Sequence, residues 1–205
     1  MERVAFGVRR AAFGVRVFAV VVGALLVAAA AQVSIPLPGT PVPMTLQPMA
    51  VLLVGGLLGA RLGALSMILY LAMGAAGLPV FTPSPLLLPG IGRLFGQTGG
   101  YLLAYPIAAY AVGWLTQPVV PPLRSAERGS GGEDTGRRWA RVALGVLAGL
   151  VLIHLGGLAQ LAILTGNLSA AARFGTWPFL LGDLLKIAVL VPVLAKLTPT
   201  IRARL

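Results

Sequence analysis

Long stretches of this chain carry no Asp, Glu, Lys or Arg: residues 17–60, 62–92, 94–123 and 142–172 contain none. A helix crosses a bilayer with about 20 apolar residues, and it satisfies its own backbone polar groups while doing so. The apolar residues come in continuous runs rather than in alternation, which argues against a β-barrel. Hydrophobic residues make up 58% of the chain, charged residues 10%, and mean hydropathy is +0.92. A soluble domain is about a quarter charged, so a soluble globular fold is excluded. With no cysteine and one histidine, disulfides and thiol chemistry are excluded, and little material remains for a metal site. The composition points to an all-α membrane protein.

Six apolar spans divide the 205 residues, roughly 17–35, 46–60, 62–78, 99–116, 142–165 and 178–197. Pro36, Pro38, Pro41 and Pro43 mark the first connection; Pro79, Pro83, Pro85 and Pro89 mark the third, since proline ends helices. Residues 117–141 are Pro-rich, then Gly/Ser-rich and charged, and read as a mobile hydrophilic linker. The expected organisation is a basic N-terminus (1–16), a six-helix membrane domain (17–197) interrupted by that linker, and a basic tail (198–205). The first apolar stretch is too long for a signal peptide and reads as a span.

The net charge of +11 becomes informative once it is placed. Arg3, Arg9, Arg10 and Arg16 precede the first span, and Arg61 separates the second from the third. Arg124, Arg128, Arg137, Arg138 and Arg141 lie in the linker, and Lys196, Arg202 and Arg204 close the chain. The remaining loops hold only Arg93 and Arg173. By the positive-inside rule, both termini are expected in the cytoplasm. The positive charge is thus a topology signal, and no nucleic-acid partner is expected.

Asp183 is the only acid inside a span, and Lys186 is the only embedded lysine, Lys196 lying at the end of the last span. Spaced i and i+3, they share one helix face. Embedded charges are costly and usually face a partner or a cavity. The pair serves either as a self-neutralising bridge for folding or as a ligand site, for a zwitterion or for an acid that also carries N–H groups. A second constellation joins Arg93 to Thr98, Gly99, Gly100 and Tyr101 at the start of the fourth span. A helix N-terminus offers unpaired N–H groups, and glycines allow close approach. The alternative there is a solvated arginine and a simple glycine turn.

Other features read as packing. Gly55, Gly59 and Gly63, then Gly145 and Gly149, then Ala24 and Ala28, are small residues four apart, a spacing that lets helices approach closely. His154 reads as a core or interface histidine. Tyr101, Tyr105, Trp114 and Trp177 read as belt or core aromatics. No G-x-x-x-x-G-K-[ST] loop is present, so ATP is not bound by that route. With no triad or carboxylate pair left once the spans are drawn, an enzyme is not expected.

Three blocks occur in order: IPLPGTPVPMTLQPMAVLLVGGLLGARLGALSMILYLAMGAAGLPVF, GQTGGYLLAYP and PFLLGDLLK. Together they resemble the biotin-specific substrate-binding component of energy-coupling factor (ECF) transporters, the BioY family, from about Ala24 to Leu197. The resemblance implies a six-helix protein of a prokaryotic plasma membrane that captures biotin from outside. It implies a transmembrane coupling protein and two ATPases as partners, and no cofactor. The family's G-D-x-x-K matches Gly182, Asp183 and Lys186. Its G-P-T-G-G-Y turn matches residues 96–101, with Gln97 in place of proline. Some relatives carry an arginine directly after that tyrosine, where this chain has Leu102; Arg93 is the substitute in this reading.

The resemblance further implies that Lys186, with Arg93, meets the biotin carboxylate, and that Asp183 accepts from the ureido N–H groups. Thr98, Gly99 and Gly100 form the turn at the ligand, and Tyr101, Phe81 and Trp177 form the apolar wall. Ala24 and Ala28 are expected to dock on the coupling protein, the alternative being packing inside the chain's own bundle. Two competing functions are a stand-alone or proton-coupled carrier and a membrane enzyme using the Asp183–Lys186 pair.

Overall fold

The computed structural model describes residues 2–84, 89–117 and 131–205, with backbone alone for 2–12 and 131–134. Among the described residues seven α-helices follow one another: α1 (Glu2–Gln32), α2 (Gln47–Leu58), α3 (Ala60–Ala75), α4 (Gly99–Leu115), α5 (Gly131–Thr165), α6 (Leu168–Gly175) and α7 (Leu180–Arg202). Between α1 and α2, β1 (Ser34–Ile35) pairs antiparallel with β2 (Met44–Thr45), Ser34 opposite Thr45. Short 3-10 turns, Ile91–Phe95 and Trp177–Phe179, precede α4 and α7.

Among the described residues, three stretches are long and apolar enough to cross a membrane: Phe13–Gln32, Thr135–Thr165 and Leu168–Arg202. α2 and α3 are shorter, with 12 and 16 residues. At about 1.5 Å per residue, α2 alone is shorter than a hydrocarbon core of about 30 Å. The break between them falls at Gly59, whose φ of +85° suits a residue without a Cβ.

Several boundaries differ from the sequence expectation. α5 starts at Gly131, so residues 131–141 of the expected linker are helical. Arginine is a good helix former, and Arg137, Arg138 and Arg141 extend the helix beyond the apolar run. The centre of that linker, residues 118–130, lies outside the described residues, as does Pro85. α7 likewise continues through Pro199 to Arg202, making most of the expected tail helical. α6 and the β1–β2 hairpin were not expected; both are short, α6 with 8 residues behind the Asn167 cap and the hairpin with 2 residues per strand.

α4 packs most extensively on α5, and α3 and α2 also lie against α4. Glycines allow this closeness. A Cβ on Gly156 would lie 2.5 Å from the Gly100 carbonyl oxygen, and one on Gly63 would lie 2.8 Å from Gly55 Cα. Gly55 and Gly63 thus serve packing within the chain, while Gly59 serves the turn between α2 and α3. The core between these helices contains Leu52, Met67, Tyr70, Val112, Val146 and Leu194, all buried. Ala24 and Ala28 belong to the same core, at 0% and 9% exposure. The outward face of α1 carries Phe18, Val21, Val22, Leu25 and Leu26 instead. In the isolated chain the two alanines therefore lie on the α2–α3 side, where α1 packs.

Candidate functional site

A cavity lies among α2, α4, α5, α7 and the loops before α2 and α4. One part of its wall is built on α7. One helical turn separates Asp183 from Lys186, and Lys186 Nζ lies 2.8 Å from Asp183 Oδ1. Both residues are buried, at 6% and 7% exposure. A third group reaches them from α5: His154 Nε2 is 2.6 Å from Asp183 Oδ2. The expected ion pair is therefore a chain of three groups. A buried charge needs such partners, because an unpaired ion in a low-dielectric wall is strongly penalised.

Aromatic rings frame this chain. Tyr101 meets the His154 ring edge-on with centroids 6.3 Å apart, and Phe179 lies 6.3 Å from the same ring. Tyr101 is itself fixed, since its hydroxyl donates to the Gly175 carbonyl at 2.5 Å. Gly157 makes room for its ring on α5.

A second polar group centres on Gln47 at the start of α2. Its Oε1 accepts from Thr82 Oγ1 at 3.1 Å and from Tyr105 OH at 3.5 Å. Its Nε2 donates to Tyr70 OH, which in turn donates to the Val80 carbonyl at 3.2 Å. Arg93, from the 3-10 turn, donates to the Thr82 carbonyl and is 6% exposed. Burial pulls its pKa below the ordinary value, yet a guanidinium remains charged. Lys186 and Arg93 against the carboxylate of Asp183 leave the wall with a positive charge in excess. Between the two polar groups the lining is apolar, with Val42, Phe81, Leu102, Leu150 and Phe179.

The structure thus brings Asp183, Lys186, Arg93, Thr98, Tyr101 and Phe81 to one cavity. Gly99 and Gly100 stand elsewhere. They pack under the Leu94 carbonyl and against Gly156, so their lack of side chains serves helix contact. Trp177 is 69% exposed. Phe179, two residues further along the 3-10 turn, supplies the aromatic wall, because positions i and i+2 point different ways at three residues per turn. Leu102, the residue after Tyr101, contributes an apolar surface to the lining.

Sequence reasoning missed His154, Gln47, Thr82, Tyr105 and Phe179. For His154 a signal existed. It is a lone ionisable group in an apolar span, and such residues commonly face a partner or cavity. Gln47 had only its polarity at the edge of an apolar run.

Comparison with known proteins places these features in context. The model of the BioY family matches residues 7–203. A probable biotin transporter BioY of Pyrococcus horikoshii is 35% identical over 172 residues, covering 84% of this chain and 89% of that protein. The biotin transporter BioY of Thermotoga maritima is 34% identical over 164 residues, covering 80% and 84%. A crystal structure of the S-component for biotin from an ECF-type ABC transporter superposes with a TM-score of 0.71 over 89% of both chains, at 24% identity, and shows the same fold.

Proposed function

The chain belongs to the BioY family, and on that footing we propose that it is the biotin-binding membrane component of an ECF-type vitamin importer. Biotin has three recognisable parts: a cyclic urea, an apolar bicycle with a thioether, and a valerate carboxylate. The observation that carries the reading is the pairing of Asp183 with Lys186 at 2.8 Å in the cavity wall. A urea presents a carbonyl acceptor beside an N–H donor. An ammonium beside a carboxylate is the complementary arrangement, and charge assistance strengthens both bonds.

The two α7 charges are too close to serve opposite ends of an extended ligand. The urea head is therefore assigned to Asp183 and Lys186 together. The carboxylate is assigned to Arg93, in the Gln47 group, and the excess positive charge of the wall suits a monoanion. Phe81, Tyr101 and Phe179 flank the bicycle, and Thr98 stands at the turn beside it, in keeping with the mostly apolar lining of ligand pockets.

The remainder of the proposal concerns the assembly. The chain crosses a prokaryotic plasma membrane six times with both termini in the cytoplasm, as its charge distribution supports. Residues 17–197 form the membrane domain, with 1–16 and 198–205 at the cytoplasmic side. Energy comes from two partner ATPases through a transmembrane coupling protein. The chain captures its ligand with high affinity and leaves it chemically unchanged.

The test is equilibrium binding of radiolabelled biotin to the purified chain, with other vitamins as competitors. Saturable binding displaced only by biotin supports the reading; absence of saturable binding overturns it. Uptake that requires ATP hydrolysis by the partners supports the importer. Uptake by the chain alone, following the proton gradient, identifies a stand-alone carrier instead.

A further inference from the structure

His154 is the chain's single histidine, and it lines the cavity with Asp183, Lys186 and Tyr101. We propose that His154 is a positioning residue for ligand recognition: through Nε2 it orients the Asp183 carboxylate so that the remaining lone pairs accept ligand N–H groups. The inference rests on the biotin reading and deepens it by naming what sets selectivity for the urea N–H.

The argument begins with the carboxylate. An ionised carboxylate only accepts hydrogen bonds, at roughly four lone-pair positions. Lys186 fills one on Oδ1 and His154 fills one on Oδ2. Lys186 belongs to the same helix as Asp183, and its long flexible stem follows the carboxylate as it turns. The terminal torsion of aspartate is broad, so Lys186 alone leaves the carboxylate plane poorly defined. His154 comes from α5, and its bond fixes that plane relative to a different helix.

The imidazole is itself well held. Tyr101 and Phe179 flank it, each with its ring centroid 6.3 Å away, and Tyr101 is anchored on Gly175. His154 Nδ1 is buried and has no hydrogen-bond partner among the described residues. A proton there would be a buried donor without an acceptor, which is costly. A neutral imidazole therefore carries its proton on Nε2, pointing at Asp183. With both its donors supplied by the protein, Asp183 takes a ligand N–H and gives nothing to a ligand that presents only an acceptor or a methyl group at that point.

The experiment compares three ligands in lipid nanodiscs: biotin, biotin methylated at its ureido nitrogens, and biotin amide. The proteins are the wild type, His154→Leu and His154→Gln. His154→Leu is expected to weaken biotin about 10- to 100-fold, the usual effect of losing a hydrogen bond to a charged group. Its preference for biotin over the methylated analogue should shrink, while its preference for biotin over the amide stays unchanged. His154→Gln, which retains an amide donor, should recover much of both losses.

Equal loss of all three ligands in His154→Leu makes the contact merely structural and overturns the proposal, as does no loss at all. Because a variant that fails to fold also loses every ligand, a second measurement uses the wild type. Histidine labelled with ¹⁵N gives one imidazole in this chain. A fixed Nε2–H tautomer supports the proposal, and a freely exchanging mixture overturns it. A wild type that binds no biotin removes the biotin reading and this inference with it. A wild type that binds biotin beside an insensitive His154→Leu removes the inference alone.

Discussion

Asp183 holds its charge in an apolar wall because two donors from two helices meet its two oxygens. Removing one member of a buried ion pair leaves the other uncompensated and typically costs about 3–5 kcal/mol. Asp183→Leu is accordingly expected to lower the unfolding temperature in detergent. The double variant Asp183→Leu/Lys186→Met should be more stable than Asp183→Leu alone, because no orphan ammonium remains. A double variant less stable than the single one would show that Lys186 has another strong partner. The two cationic groups of the cavity should also separate in binding. Arg93→Ala is expected to weaken biotin by the order of 2–5 kcal/mol, the cost of leaving a buried charge unpaired, and to weaken biotin amide far less. Lys186→Ala should weaken both ligands alike, because the urea head is common to them. Equilibrium binding of the two ligands to the two variants measures the difference. The reverse pattern would return the carboxylate to Lys186.

Among the elements, α4 and α5 matter most, since they carry Tyr101 and His154 at their closest approach. Gly100 and Gly156 meet backbone to backbone there. Gly156→Val is expected to cost about 1–3 kcal/mol through overpacking and to reduce biotin binding, because α4 is pushed away together with Tyr101. Thermal unfolding and binding measured on the same preparation check both effects; unchanged binding would separate the helix contact from the site. α1 supplies a second test. Ala28 is buried against the chain's own helices, so Ala28→Trp should destabilise the isolated protein and lower its biotin binding before any partner is added. A variant that binds biotin normally but fails to transport would instead turn that face towards a coupling protein. The sequence showed only that small residues recur four apart on α1. It could not say which neighbour uses them, because small-residue faces serve both purposes.

For the whole molecule, the two ends differ in their chemistry. The cavity is lined in part by the Pro-rich first connection, the Arg93 turn and the start of α7. At the far end of α7, Arg202 donates to the Gly56 carbonyl at 2.6 Å and to the Thr116 carbonyl at 3.0 Å. It thereby satisfies carbonyls near the C-terminal ends of α2 and α4, where a positive charge is favoured. This arrangement agrees with a ligand face on one side and an arginine-rich face on the other. Topology reporters test the assignment. Fusions at either terminus or within residues 125–130 should report cytoplasm, and fusions within residues 38–43 or at Ser169 should report the exterior. An exterior signal from residues 125–130 would invert the proposed direction of capture.

The features legible in the amino-acid order are local. Charge-free runs dictate apolar helices because no other backbone structure in such runs satisfies its own polar groups in a bilayer. The spacing of Asp183 and Lys186 dictates a shared face because one turn of a helix separates them. The order of the family's blocks identifies the fold they belong to. Which way each helix faces emerges only from packing. A helix that is apolar all round carries no periodic signal to distinguish inside from outside. The inward turn of Ala24 and Ala28, the choice of Phe179 over Trp177, and the gathering of Thr82 and Tyr105 around Gln47 therefore appear only once the helices are packed. The bond from His154 to Asp183 joins residues 29 positions apart, on helices whose relative rotation no local pattern encodes.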